Sequence, residues 1–409
     1  MLDSGIERDN LHYHISEDDG FNTAITCILS PREPGKTTSI LLDKIYSAFK
    51  KHGLPAVVLV NNPIDINEAY LSSFEELINE FKGYEIHTSY PKSAQGTITI
   101  VKEKDTGKPF IYVIPLSVPK TRLKRLVLGK ISCMWYDECN VDVSIGEKWP
   151  DNIASKWNEL YTTLARKSYP DKLKFYMTGN YYTKYNPLLI YLGIDCNRLE
   201  VGKKVVNRKV KKVGNIMLDY STLVDCYQLK PELREYILAH NPGYSFDETY
   251  LKYFNGEAIA DSGVPIEEQQ PAGFSLRNVF KIGTRYLYIY KSNETVDGMF
   301  RGYWLKATSD APGKRRDIWI VDLTDLSSGT MLAKSFKGLF DSLKFAIGKG
   351  NITFQSPEAF YMMQNIYNVL WCQIGWPLNW SADNVKAIDD HQHKQQLIMT
   401  ELRITYKEK

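Results

Sequence analysis

The stretch Ala24-Ile25-Thr26-Cys27-Ile28-Leu29-Ser30-Pro31-Arg32-Glu33-Pro34-Gly35-Lys36-Thr37 decides the fold. Its first half is an apolar run with the length and composition of a buried strand. Its second half is a loop that contains glycine and ends in Lys-Thr. Downstream, Leu41, Ile45, Ala48 and Phe49 fall on one helical face, and Gly53 is a plausible stop. A strand, a glycine-containing loop and a helix in this order can wrap phosphate groups. Backbone N–H groups and the positive end of the helix point at the anion.

A second segment, Ile131-Ser132-Cys133-Met134-Trp135-Tyr136-Asp137-Glu138, is a strand that ends in two carboxylates. Such a pair can supply a metal partner and a base. Together the two segments read as the halves of an ATP–Mg²⁺ site. Ser30, Arg32, Pro34, Gly35, Lys36, Thr37 and Thr38 form the nucleotide-binding loop. Lys36 reaches the terminal phosphates, Thr37 and Asp137 hold Mg²⁺, and Glu138 activates water. Ser30 stands where the strict Walker A pattern has its first glycine, and Gly-Lys-Thr alone is a weak signal. The flanking strand and helix strengthen it.

Between and after these segments the pattern alternates. Ala56–Val60 reads as a buried strand and Leu71, Phe74, Leu77, Ile78 and Phe81 as a helical stripe. Thr97–Lys102 and Phe110–Ile114 read as a hairpin. Ile153, Trp157, Leu160, Tyr161 and Leu164 mark another helix, and Leu173–Thr178 the next strand. Strands alternating with helices give a mostly parallel sheet, whose ligands bind at the carboxyl ends of strands. The last of these strands runs into Gly179-Asn180, where an amide can sense the γ-phosphate.

Near Val201 the character changes. Lys203, Lys204, Arg208, Lys209, Lys211 and Lys212 form the densest basic run and a candidate nucleic-acid contact. The expected organisation is an α/β ATPase domain at 1–200, a connector at 201–270, an α+β domain at 271–372 and a polar tail at 373–409. In the third part, strands at Phe274–Ile282, Tyr286–Tyr290, Phe300–Lys306 and Asp317–Val321 precede a helix at Met331–Ala346. A strand at Ile352–Phe354 and a helix at Glu358–Leu370 follow. Residues 1–20 read as polar and partly flexible. Asp389-Asp390-His391-Gln392-His393 reads as polar tail rather than a metal site.

Composition narrows the class. Net charge is +3, so nucleic-acid contacts must come from local patches. Six cysteines without a CxxC pair suit a reducing compartment. The acidic N-terminus lacks the apolar core of a signal peptide, and no apolar run approaches the ~18–20 residues of a membrane span.

At this point the chain resembles the DNA-packaging ATPases (encapsidation proteins) of small, short-tailed, protein-primed phages, the phi29 type. The resemblance rests on Arg32 inside the phosphate loop and on Ile114-Pro115-Leu116-Ser117 ahead of the Asp137-Glu138 strand. It rests also on Asn180 followed by Asn186-Pro187-Leu188, and on Leu323-Thr324-Asp325 and Met362-Met363-Gln364-Asn365-Ile366 near the C-terminal end. It implies an ASCE-type P-loop NTPase followed by a connector and a small RNase H-like domain. Lys36 and Thr37 would bind phosphate and Mg²⁺, and Asp137 and Glu138 would be the Walker B pair. Asn180 would couple hydrolysis to movement, Arg166 would be an arginine finger acting in trans, and Lys124 a second trans-acting basic residue.

The implied function is ATP-driven translocation of double-stranded DNA into a prohead. The implied partners are the portal and prohead, a packaging RNA and further copies of the chain in a ring, a pentamer by resemblance, with no membrane. The implied setting is the host cytoplasm. Asn61 and Asn62 stand where the family pattern has arginines. The leading strands of the C-terminal part carry no Asp or Glu, so a vestigial domain without nuclease activity is expected, with Asp322 and Glu358 as surface residues. The alternatives are an ATP-dependent helicase or nuclease subunit and a non-enzymatic nucleic-acid-binding protein with a degenerate loop.

Overall fold

The computed structural model describes residues 9–241 and 266–370, except 33, 92–97, 127, 142–146, 148, 151–152, 169–171, 214, 284, 294, 297–298, 301, 314–317, 321–329, 333–342, 344–345 and 347–350. The chain divides into two units, Met1–Ala260 and Asp261–Lys409.

The first unit is built on one nine-stranded sheet. Its elements begin with a short helix α1 (Ser16–Asp19) and the strand β1 (Ile25–Ser30), which carries the apolar half of the deciding stretch. The helix after the loop runs as α2 (Lys36–Ile40), a π-helical turn (Leu41–Tyr46) and α3 (Ser47–His52). Gly53 ends it in the left-handed region at φ 64°, a conformation glycine adopts without steric cost. Then come β2 (Ala56–Val60), α4 (Glu68–Asn79), β3 (Thr88–Ser89), β4 (Thr99–Glu103), β5 (Pro109–Pro115), α5 (Lys120–Lys124) and β6 (Cys133–Tyr136). They are followed by α6 (Ile153–Ser168), β7 (Lys174–Asn180), α7 (Pro187–Leu192), β8 (Lys204–Asn207), β9 (Val210–Val213), β10 (Ile216–Asp219), β11 (Thr222–Cys226) and α8 (Pro231–His240).

The strand order is β3-β4-β5-β2-β6-β7-β1-β11-β8. The run from β5 to β11 is parallel, and antiparallel strands close both edges. Helices cover parallel strands on both faces, so β1, β2 and β6 are buried at every position. The predicted helical stripes pack as expected. Leu71, Phe74 and Ile78 of α4 and Ile153, Trp157, Leu160, Tyr161 and Leu164 of α6 are buried. One strand, β7, lies between β1 and β6, which is the strand order of the ASCE type of P-loop NTPase. The sheet therefore brings the loop after β1 and the acidic end of β6 to the same edge, on either side of the end of β7.

Two expectations for the first unit need correction. Residues 204–226 are not a connector. β11 pairs with β1 along five positions and β8 pairs with β11, so both belong to the first unit's sheet. Lysine-rich composition suggested an exposed linker, but Val205, Leu223 and Val224 are buried. Residues 9–19 are not loose either: Tyr13 and Ile15 are each 1 % exposed.

The second unit holds β12 (Phe274–Ile282), β13 (Arg285–Ser292), β14 (Thr295–Val296), β15 (Met299–Phe300), β16 (Tyr303–Thr308), β17 (Ile318–Ile320), β18 (Thr330–Leu332), β19 (Ile352–Phe354) and α9 (Pro357–Leu370). Strands β14 and β15 form a separate ribbon. The main sheet has the order β18-β17-β12-β13-β16-β19. β12, β13 and β16 are antiparallel, and β17 and β18 continue beyond β12 in parallel. This is the strand order of the RNase H-like fold, extended by β19 beside β16. Met331 lies in strand β18, not at the start of a helix. Leu343 and Ala346 are helical, and the rest of 333–350 lies outside the described residues, as do Asp322 and the tail 371–409.

Glu358 is not a surface residue. It is fully buried and takes both prongs of the Arg285 guanidinium, Nε to Oε1 at 2.8 Å and Nη2 to Oε2 at 2.6 Å. No helix among the described residues is long and apolar enough to cross a membrane.

Candidate nucleotide site

The loop after β1 turns at Gly35, whose φ of 89° is a left-handed conformation that side chains rarely adopt. Ser30, in place of the first glycine, is fully buried and satisfies its hydroxyl by donating to the Pro31 carbonyl at 2.7 Å. The loop tolerates the serine because its polar atom is spent locally. Arg32 is exposed and donates to the Tyr182 hydroxyl at 3.0 Å.

Lys36 opens α2 and folds back into the loop. Its ammonium donates to the carbonyls of Pro31 at 3.0 Å, Gly179 at 3.1 Å and Ser30 at 3.3 Å, and to Asn180 Oδ1 at 3.1 Å. The ends of β1 and β7 are thus joined through one cation. Burial lowers the Lys36 pKa to about 7, against the pull of the Asp137 charge.

Asp137 sits just past β6. Its Oδ1 accepts from Thr178 Oγ1 at 2.9 Å and from the Glu138 backbone N–H at 3.1 Å. Thr178 Oγ1 in turn accepts from the Trp135 indole at 2.9 Å. Burial first, and the neighbouring Glu138 charge second, raise the Asp137 pKa to about 7. Glu138 is exposed and holds a left-handed backbone at φ 48°. In a non-glycine residue such strain persists only where surroundings enforce it. Here Asn61, just past β2, does so. It donates to the Glu138 carbonyl at 3.4 Å and accepts from the Tyr136 hydroxyl.

Lys36, Thr37, Asp137, Glu138, Thr178 and Asn180 line one cavity of about 730 Å³. Pro34, Gly35, Thr38 and Arg32 line it too. So the sequence-predicted loop, acidic pair and Asn180 come together. Arg166 does not join them. It is exposed in the last turn of α6. Lys124, exposed at the end of α5, pairs with Glu159 at 3.6 Å.

The basic run divides. Lys203 pairs with Glu200, Lys204 with Asp18 and Asp225, and Arg208 donates to the carbonyls of Phe21 and Asn22. Lys209, Lys211 and Lys212 lie on or beside the β9–β10 hairpin, whose Val210 and Met217 are 59 % and 57 % exposed.

Sequence reading missed Thr178, Asn61 and the N-terminal residues Asp9, His12, Tyr13 and His14. Thr178 and the N-terminal residues line the cavity. Thr178 and Asn61 had one available signal: each is a polar residue at or just past the end of a parallel strand beside the site. The N-terminal residues carried no motif.

The acidic pair gives a stability prediction. A carboxyl whose folded pKa lies at about 7 instead of 3.8 binds a proton that the unfolded chain has lost across that range. Its contribution to stability falls as pH rises from about 4 to 7 and is constant above. In the metal-free protein, the melting temperature of Asp137→Asn relative to wild type should therefore rise between about pH 5 and 7 and level off beyond it. A difference independent of pH would show that Asp137 is not held in this way.

No protein-family profile matches the sequence, and no curated protein matches it. Several solved structures are similar, among them three phage proteins. The phi28 gp11 DNA packaging motor is 16 % identical over 89 % of this chain and 99 % of that one, with a TM-score of 0.52. The bacteriophage phi29 viral genome packaging motor assembly is 16 % identical over 88 % and 100 %, at 0.46. The large terminase of a thermophilic bacteriophage, in complex with ADP, is 10 % identical over 82 % and 83 %, at 0.33. The protein has the fold of the first of these. It is a P-loop NTPase fold of the ASCE type joined to an RNase H-like unit.

Proposed function

We propose that the protein is an ATP-hydrolysing motor that drives double-stranded DNA into a phage prohead. The observation that carries this reading is the convergence of Lys36, the Asp137–Glu138 pair and Asn180 on one cavity at the carboxyl edge of the sheet. The fold shared with a packaging motor supports it.

The residues fit a magnesium nucleotide. The left-handed turn at Gly35 and the start of α2 present backbone donors, and Lys36 supplies a cation. Asp137, held near pKa 7 by burial and by Glu138, is a carboxylate whose charge a divalent ion would relieve. Among the described residues there is no group of three or more His, Cys, Asp or Glu that could hold a metal ion. Thr37 and Asp137 would hold an ion here together with phosphate oxygens of the nucleotide and water.

When bound, the ion would neutralise charge on the phosphates. Glu138 would accept a proton from the attacking water. Lys36 would bind the terminal phosphates, and its hydrogen bond to Asn180 would report their state to β7. Arg166 and Lys124, outside the cavity of their own chain, would act on the site of a neighbouring copy in a ring. The prohead portal and a packaging RNA would be the docking partners, in the host cytoplasm. A vestigial second unit fits the absence of Asp and Glu from β12 and β13 and the pairing of Glu358 with Arg285.

The test is steady-state ATP hydrolysis by the purified protein. We expect Mg²⁺-dependent turnover that double-stranded DNA stimulates. Neither binding nor turnover of ATP would favour a structural nucleic-acid-binding protein instead.

The β9–β10 hairpin is the proposed DNA contact of this unit. Phosphate-directed lysines make binding salt-dependent, with a slope of about 0.9 per neutralised phosphate. Reversing Lys209, Lys211 and Lys212 to Glu should weaken duplex binding and flatten the plot of log affinity against log salt by about two to three. An unchanged slope would move the contact elsewhere.

A further inference from the structure

Residues 9–19 form a strap across the outside of the phosphate loop. The Tyr13 N–H donates to the Pro34 carbonyl at 2.7 Å, and the Ile15 N–H to Ser39 Oγ at 2.8 Å. His12 lies so close that a Cβ added to Gly35 would meet its Cβ at 3.2 Å. The strap thus touches the loop before Lys36, at Pro34, and helix α2 after it, at Ser39. In a loop with serine for its first glycine and prolines at 31 and 34, an outer support of this kind fixes where the backbone donors point.

The strap is itself held at one place by charge. Asp18, on α1, is 3 % exposed. It accepts from the Tyr13 hydroxyl at 2.7 Å and is ion-paired to Lys204, whose ammonium also meets Asp225 at 3.1 Å. Asp225 is 2 % exposed and lies on β11, the strand beside β1. Two buried carboxylates from different elements therefore share one lysine. Removing that lysine leaves them facing each other uncompensated, which forces them apart or makes one take up a proton. Either outcome loosens α1 and, through the Tyr13 hydroxyl, the part of the strap on Pro34.

The structure assigns Lys204 as a positioning residue for nucleotide binding, acting through Asp18 and Tyr13 on the phosphate loop, not as a nucleic-acid contact. This rests on the ATP reading above. Its sequence neighbours Lys209, Lys211 and Lys212 remain with the hairpin. Lys204 sits instead at the β8 end that pairs with Asp225.

The experiment compares wild type, Lys204→Met, Lys204→Arg and Tyr13→Phe, with the exposed Lys51→Met as a charge-matched control. Steady-state kinetics give KM and kcat for ATP, and amide hydrogen exchange follows Tyr13, Ile15 and the loop. Lys204→Met should raise the KM for ATP about tenfold, the worth of one charge-assisted hydrogen bond, with kcat nearly unchanged. Exchange at Tyr13 and Ile15 should quicken. Lys204→Arg should restore both, Tyr13→Phe should shift KM in the same direction, and duplex affinity should stay at the wild-type value.

Loss of duplex affinity with unaltered KM would return Lys204 to the DNA contacts and overturn the inference. Unchanged exchange at Tyr13 and Ile15 would overturn it whatever the nucleotide result. A fall in melting temperature with KM unmoved would reduce Lys204 to a purely structural role. Failure of the wild-type protein to bind ATP would be recognised separately, since it strikes the ATP reading before any variant is compared.

Discussion

Glu138→Gln is expected to lower ATP turnover by about three orders of magnitude while leaving ATP binding intact. General-base catalysis contributes about 10²–10⁴ to rate, and glutamine keeps the shape but cannot accept the proton. The geometry makes this substitution unusually clean. The hydrogen bonds that hold position 138 are made by its backbone: its N–H donates to Asp137 Oδ1 and its carbonyl accepts from Asn61. Neither depends on the side-chain carboxylate. Lys36 keeps its four partners, so the loop after β1 is untouched. Removing the Glu138 charge also removes one of the two causes that raise the Asp137 pKa, so the Asp137 carboxylate is ionised more readily. Single-turnover hydrolysis beside equilibrium ATP binding separates the two effects. Retention of more than about a tenth of wild-type turnover would show that another group takes the proton. Loss of binding along with turnover would show that Glu138 is part of the phosphate site and not its base.

The parts of this site that were legible in the sequence are those with local signatures. A strand buried on both faces must be apolar at every position, so β1 and β6 announced themselves, and the residues following each strand end inherit a place at the sheet's carboxyl edge. Lys36, Asp137, Glu138 and Asn180 were found in this way. What was not legible depends on pairing between distant segments. Nothing in Asp18, Lys204 or Asp225 taken singly marks a shared buried charge cluster. The lysine read as one more member of a basic run and a candidate nucleic-acid contact, because its partners lie 186 residues upstream and on the adjacent strand. The same applies to Asn61, whose value comes from lying beside β6, a neighbour fixed by strand order and not by sequence spacing. The misplaced connector has a related cause. Residues 204–226 are short strands of mixed composition, and the sheet edge they join was set far upstream.

Arg285→Met should destabilise the second unit by about 3–5 kcal/mol, the cost of leaving a buried carboxylate without its partner. Arg285 is 5 % exposed and Glu358 is 0 % exposed, so solvent cannot replace the lost cation. Their two parallel hydrogen bonds join the first residue of β13 to the first turn of α9, and the helix N-terminus favours the same carboxylate. The pair therefore fixes how the helix lies on the sheet. It contributes far less net stability than its rupture costs, because both ions have been desolvated. The double variant Arg285→Met/Glu358→Leu should accordingly recover most of the loss. Unfolding of the full chain, read by hydrogen exchange at the amides of β13 and α9, measures both. Additive penalties in the double variant would mean that the two side chains act independently. The same pairing bears on chemistry. A carboxylate that spends both oxygens on an arginine fork is not presented to metal ions, so Glu358→Gln should lose stability without changing any cleavage of plasmid DNA. Metal-dependent cutting by the wild-type protein that Glu358→Gln abolishes would overturn the reading of this unit as a vestigial nuclease.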